Sequence, residues 1–284
     1  MFPTRPLRDL DLVALDLEAT GVAHGHDRIV EIGAVRFRIG PDGQVIPGPV
    51  FEALVDPGLR IPEVVSRLTG IDDAMVQGKP GLAEVWPALL DFLGDPERVV
   101  VLAHCAWSDL AYLVSEASRL GLEVPTHPFV CTLELARRAL PEAPKYGLAA
   151  LRHFIAVDDP GEMVFHRAVA DALHTRNLFR VCVQRTGAHT FSDLGVSGGV
   201  EVPAPEEFVV SVPDRLRPLE SAIAEQLRID IQYHGGSKGR SVRPVTPLAL
   251  FALRGVAHLR AWCHLDDAAK TFRCDRIARV MPHG

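Results

Sequence analysis

The chain has 284 residues, 48% of them hydrophobic and 23% charged, with a formal net charge of −6. At roughly 100–200 residues per domain this length predicts two domains, and the apolar share is that of ordinary globular proteins, which excludes a chain disordered throughout. No apolar run approaches the roughly 20 residues that a membrane helix needs, and Met1–Asp9 lacks the apolar core and cleavage site of a secretion signal.

Leu12–Leu17 is a short apolar run and reads as a buried strand. Arg28–Phe37, rich in Ile and Val, reads as a second strand. A turn at Gly40-Pro41-Asp42-Gly43 leads to a third strand near Phe51–Val55, which Asp56-Pro57-Gly58 ends. Pro62–Leu68 is a short helix stopped by Gly70. Leu82–Leu93 has helical periodicity despite Pro87. Val99–Ala103 is a fourth strand, and Asp109–Leu120 an amphipathic helix closed by Gly121. Leu133–Leu140, Leu148–Phe154 and Arg167–Val183 complete the helices of this part. Strands joined by turns, then a strand and several helices, predict an α/β domain with a mixed sheet flanked by helices. From Gly187 to Pro205 the chain is dense in glycine, proline and small residues and reads as a linker. Beyond it, a helix over Leu216–Leu227 and strands at Ile229–Tyr233, Val242–Val245, Ala257–Cys263 and Thr271–Val280 predict a small, mostly β second domain.

The charge is uneven. Met1–Ala204 carries 18 basic against 27 acidic residues, a net of −9, while Pro205–Gly284 carries 12 against 9, a net of +3. A nucleic-acid binder usually presents a basic surface, but bound cations reverse the sign of an acidic site. Five cysteines, Cys105, Cys131, Cys182, Cys263 and Cys274, show no zinc-type spacing and read as free thiols of a reducing compartment. A cytoplasmic protein is expected.

The first strand ends in Asp16-Leu17-Glu18, and residues two apart on a strand share a face. Two carboxylates there are costly to bury without a cation. Asp109 opens a helix after a buried strand, and Asp171 lies in the long helix five residues after His166. Alone, the strand pair also reads as a solvated strand end, Asp109 as a helix cap, and Asp171 as a solvated helix face. Together they form an oxygen-rich set suited to hard divalent ions such as Mg²⁺ or Mn²⁺. Two such ions stabilise the attacking and leaving oxygens of a displacement at phosphorus, and a histidine of near-neutral pKa can take the proton of the attacking water.

These segments resemble the DEDDh (DnaQ-like) exonucleases, the family that includes the proofreading subunit of bacterial DNA polymerases. Asp16-Leu17-Glu18-Ala19-Thr20-Gly21 matches its first motif and Ile29-Val30-Glu31-Ile32-Gly33-Ala34-Val35 the following strand. Leu68-Thr69-Gly70-Ile71 matches a loop motif, His104 to Asp109 the second motif, and His166-Arg167-Ala168-Val169-Ala170-Asp171-Ala172 the third. The resemblance covers residues 8 to 186. It implies a ribonuclease-H-like fold and 3′→5′ hydrolysis of nucleic acid from a free 3′ end, with release of nucleoside monophosphates. It also implies two divalent cations held by Asp16, Glu18, Asp109 and Asp171, with Glu18 also facing the attacking water or the 3′ end and His166 as general base. The second motif departs from the family at Cys105 and Ser108, where Asn and Phe are usual. Those departures leave a second reading open, a regulator or sensor that binds nucleic-acid ends but cuts poorly.

The C-terminal segment resembles a WYL domain, a small Sm-like β-fold, over residues 214 to 281. The matching stretches are Ile229–Tyr233, Arg243–Leu248 and Phe272–Ile277, whereas the eponymous tripeptide reads Ala257-His258-Leu259. The resemblance implies a nucleotide or single-stranded nucleic-acid ligand, with Tyr233, Arg243, Arg273 and Arg276 as candidate contacts. Guanidinium groups bind phosphate, and an aromatic ring stacks on a base. The expected organisation is therefore an exonuclease domain over 1–186, a linker over 187–213 and a WYL-like domain over 214–284.

Overall fold

The computed structural model describes residues 2–155, 167–201, 212–225, 227–235, 239–253 and 255–283. The chain divides into two compact units, Met1–Thr20 with Arg28–Pro203, and Gly21–Asp27 with Ala204–Gly284.

The first unit is built on strands β1 (Asp11–Ala19), β2 (Ile29–Ile39), β3 (Val45–Leu54), β4 (Val99–Ala103) and β5 (Phe129–Cys131), in the order β3-β2-β1-β4-β5. β1 and β2 pair antiparallel, as do β2 and β3, while β4 runs parallel to β1 and β5 parallel to β4. The helices are α1 (Glu63–Thr69), α2 (Asp73–Val76), α3 (Leu82–Leu93), α4 (Ala106–Leu120), α5 (Thr132–Ala139), α6 (Leu148–Ile155) and α7 (Ala168–Thr186). The expected mixed sheet flanked by helices is present. Leu12–Leu15 and all of β4 are buried, as central strands covered on both faces require.

α3 tolerates Pro87 because Pro87 and Ala83, whose carbonyl loses its i+4 donor, are both exposed, whereas Leu82, Val85, Trp86, Leu89 and Leu93 face inward. Water can serve the orphaned carbonyl. Sequence periodicity missed α2 and β5, each of four residues or fewer, because so short a run carries no repeat. The Asp72 side chain caps α2 by accepting the Met75 N–H at 2.9 Å.

The first unit also extends beyond the expected boundary at residue 186. Ala188, Phe191 and Leu194 are buried in the same core as Leu12, Phe37 and Phe179. Asp193 accepts the N–H groups of His189 and Thr190 at 2.9 and 2.8 Å, so the glycine-rich composition here serves an anchored turn. The first part of the expected linker is thus packed chain.

The second unit holds a 3₁₀ turn at Asp214–Leu216, α8 (Pro218–Ala224), and strands β6 (Ile229–His234), β7 (Arg240–Leu253), β8 (Val256–Cys263), β9 (Ala268–Arg273) and β10 (Ile277–Pro282). The sheet is antiparallel throughout, in the order β10-β6-β7-β8-β9. The expected single helix from 216 to 227 is the 3₁₀ turn followed by a shorter helix, with Pro218 at its start, where a missing N–H costs nothing. The expected strand Thr271–Val280 is two strands at opposite sheet edges, broken by a 3₁₀ turn at Cys274–Arg276.

None of the five cysteines forms a disulfide. Burial pushes the Cys182 and Cys274 thiols up to about 12, so both act as packing groups. Among the described residues no helix is long and apolar enough to cross a membrane.

Candidate active site

The pairing of β1 with β4 ends at Ala14 opposite Leu102, while pairing with β2 continues to Glu18 opposite Glu31. Past Ala14 the parallel neighbour turns away, and the end of β1 is open on that side. Asp16 and Glu18 occupy this end, half-buried and two residues apart. The chain leaving β4 passes through His104 and Cys105 into α4, whose first turn carries Asp109. α4 starts three residues before the expected Asp109, so Asp109 lies within the helix and is buried. Its carboxylate accepts the Leu17 N–H, between the two acidic residues of β1.

Asp171 arrives on α7. That helix can approach the sheet because β2 carries Gly33 directly opposite Asp16. A Cβ on Gly33 would lie 2.2 Å from the carbonyl carbon of Ala168 and 2.2 Å from the Val169 nitrogen, inside the backbone of the helix's first turn. Glu31, two residues earlier and fully buried, accepts the Ala168 N–H at 2.8 Å and the Arg167 Nε at 2.8 Å. Sequence reading assigned no role to Glu31, Gly33 or Arg167. The available signal is a carboxylate and a glycine inside the otherwise apolar stretch Ile29–Val35.

One carboxylate oxygen each from Asp16, Glu18 and Asp171 lies within 4.8 Å of the other two. Burial and the facing charges of Asp109, Asp171, Glu18 and Glu31 hold the Asp16 carboxyl well above the usual carboxylate range. Burial, then Asp171, Glu31 and Asp109, raise Glu18 to about 8, against a smaller opposing pull from Arg167. Burial raises Asp109 to about 8, opposed by hydrogen bonds from its own backbone N–H and that of Leu17. The largest influences on Asp16 all raise it. Like charges held this close resist ionisation together unless a cation joins them. The donor set is all oxygen and partly buried, and fits one or two small hard divalent ions.

The expected general base, His166, lies outside the described residues. His104 of the second motif is committed to structure, with Nδ1 3.2 Å from Thr132 Oγ1 and Nε2 2.9 Å from the Tyr146 carbonyl. Burial lowers its pKa. Cys105, which takes the place of the family's Asn, has φ 65° and ψ 44° at the head of α4. Asn is among the non-glycine residues enriched in this left-handed conformation.

The four candidates in the second unit separate into two pairs. Along β6, Ile229, Ile231 and Tyr233 alternate inward, so the Tyr233 ring is buried edge-on to Phe272 at 5.1 Å and presents no face for a base. Arg243 lies opposite Ile231 on the same inward face, donating to Ser241 Oγ at 2.8 Å and to Asp266 at 3.1 Å. Its guanidinium is a buried structural ion pair. Arg273 is partly exposed and paired with Asp275 at 2.7 Å, and Arg276 is exposed. Strand alternation decides this division, with inward positions spent on packing, while Arg273 at the end of β9 and Arg276 in the following turn reach the surface.

Residues 13–179 match the family model described as Exonuclease, and residues 214–282 match that of the WYL domain. A Mycobacterium tuberculosis protein named as a bifunctional exonuclease/endonuclease is 37% identical over 199 residues, 66% of this chain and 29% of that protein. The chain therefore spans less than a third of that relative's length. The DNA polymerase III subunit epsilon of Aquifex aeolicus is 34% identical over 173 residues, 61% of this chain and 80% of the subunit. Among solved structures, exonuclease X in complex with 5′ overhanging duplex DNA aligns with a TM-score of 0.50 and 26% identity, covering 65% of this chain and 99% of that one. Taken with the ribonuclease-H-like sheet and the gathered acidic motifs, the match over residues 13–179 shows that this chain belongs to the exonuclease family, in its DEDDh form and with a WYL domain after it.

Proposed function

We propose that the first unit hydrolyses nucleic acid in the 3′→5′ direction with two divalent cations, Mg²⁺ or Mn²⁺, and releases nucleoside monophosphates. The observation that carries this reading is the convergence of Asp16, Glu18 and Asp171 within 4.8 Å, with Asp109 outside that group but near enough for its charge to act on Asp16. Cations bound there would supply charge to stabilise the attacking and leaving oxygens at phosphorus. Asp16, Glu18, Asp109 and Asp171 would hold them, and Glu18 would also face the 3′ end or the incoming water. His166 would take the proton of that water. Similarity to a polymerase epsilon subunit and to an exonuclease bound to duplex DNA supports DNA as one substrate.

We assign residues 1–186, together with the packed turn through Leu194, to the exonuclease domain and 214–284 to a WYL-like domain that binds a nucleotide or single-stranded ligand, with Arg273 and Arg276 as its surface cations. The net charge of +3 over the C-terminal part supports an anionic partner.

The test uses 5′-labelled and 3′-labelled oligonucleotides of DNA and RNA with Mn²⁺. A 3′ label should appear at once as mononucleotide, while a 5′ label should shorten stepwise. EDTA and Asp171→Ala should each abolish hydrolysis. Cleavage that survives Asp171→Ala would remove the assigned site, and binding of ends without any cleavage by the wild-type protein would favour the regulator reading.

A further inference from the structure

Glu31 is a fifth carboxylate beside the cluster. It lies directly across from Glu18 in the β1–β2 register and is fully buried. Facing residues of an antiparallel pair share a side of the sheet, so two like charges stand together, which is unfavourable unless compensated. Glu31 is nevertheless no part of the group of three converging oxygens. Both of its oxygens are already engaged. Oε1 takes Nε and a terminal nitrogen of Arg167 at 2.8 and 2.5 Å, and Oε2 takes the Ala168 N–H at 2.8 Å. The same terminal nitrogen lies 3.5 Å from Glu52 on β3.

The consequences follow from chain order. Ala168 is the first residue of α7, so its N–H has no partner within the helix, and a carboxylate there also meets the positive end of the helix dipole. Asp171 follows three residues later. A two-nitrogen guanidinium contact fixes direction as well as distance. The strand carrying Glu31 and Gly33 thus grips the start of the helix that delivers a cation ligand. Arg167 also lies close enough to Glu18 for its charge to act there.

We propose that Glu31 and Arg167 are a positioning pair that sets cation affinity at the site, Glu31 by holding the first turn of α7 and Arg167 by keeping Glu31 out of the cation cage. This rests on the metal-dependent reading above. Neither residue touches the reacting atoms, and their effect passes through Asp171.

The test measures Mn²⁺ binding to the full chain by titration calorimetry, beside kcat, KM and the thermal melt. Glu31→Gln keeps the size of the side chain and an acceptor for the Ala168 N–H but removes the ion pair. It should weaken Mn²⁺ binding and lower kcat, each by about 10–100-fold, as loss of a group orienting a ligand does, with KM changed by no more than about threefold. Arg167→Lys keeps the charge and loses the fork, and should show a smaller loss of the same kind. The double variant Glu31→Gln with Arg167→Lys should lose no more than the worse single one, since the two act as one unit.

Wild-type Mn²⁺ affinity and kcat in Glu31→Gln, or a lowered melting temperature as its only change, would overturn the proposal, as would fully additive losses. If Glu31→Gln does not fold, Arg167→Lys decides by the same criteria. A wild-type protein that neither binds Mn²⁺ nor degrades oligonucleotides would overturn both this and the proposed function. Binding and cleavage in the wild type with no effect of either variant would overturn this inference alone.

Discussion

Gly33→Ala is the smallest change that tests how the site is held. The added Cβ would sit 2.2 Å from two backbone atoms of Ala168 and Val169, where ordinary contact begins at 3.4 Å. The start of α7 must therefore retreat by about 1.2 Å, because backbone in a helix cannot swing aside as a side chain does. Asp171, less than a turn further along, moves with it. Cation–ligand distances are tolerant to about 0.2 Å, and a displacement near 1 Å costs on the order of 10²-fold in rate. Forcing a methyl into a packed contact costs about 1–3 kcal/mol, which lowers the melting temperature by roughly 4–8 °C at the middle of that range. Steady-state cleavage of a labelled oligonucleotide in saturating Mn²⁺ should show kcat/KM down about 10²-fold, with a cooperative melt retained. Full activity and an unshifted melt in the Gly33→Ala protein would refute the claim that this glycine sets the approach of α7.

Other expectations concern charge and strain. In the metal-free protein Glu18 is raised from 4.5 to about 8 and Asp109 from 3.8 to about 8, so the folded state holds these protons more tightly than the unfolded one. Their contribution to stability is full below about pH 4 and is lost as pH rises through about 8. The melting temperature in EDTA should therefore fall between pH 5 and 8.5, and Mn²⁺ should restore it most at the alkaline end; a metal-free melt that rises over this range would contradict the account. Cys105→Asn should relieve left-handed strain and raise the melting temperature by roughly 2–4 °C for about 1 kcal/mol, as differential scanning fluorimetry can check. Arg243→Ala should destabilise the protein by about 3 kcal/mol by leaving Asp266 partly unpaired, whereas Arg276→Ala should weaken oligonucleotide binding in a filter assay and leave the melt unchanged.

The sequence by itself determined the elements that carry strong periodicity and the residue types of the site. β1, β4 and α3 are apolar runs or amphipathic stretches whose burial pattern is local, and Leu82–Leu93 was legible to the residue. Asp16, Glu18 and Asp171, which the fold gathers within 4.8 Å, stand in ordered motifs of the sequence, as does Asp109, which lies outside that group of three. Tertiary structure decided what depends on partners distant in the chain. Phe191 and Leu194 turn a glycine-rich stretch into core because they meet Phe179 and its neighbours, which no composition window contains. The sequence offers Tyr233 and Arg243 as candidate ligand contacts, yet register places them inward, because a strand's inner face is fixed by what lies across the sheet. Glu31 and Gly33 acquire their roles only when α7, more than a hundred residues away in the chain, lands against β2. Hydrophobic pattern and residue chemistry are written locally, whereas the spacing of a cation site comes from backbones in contact.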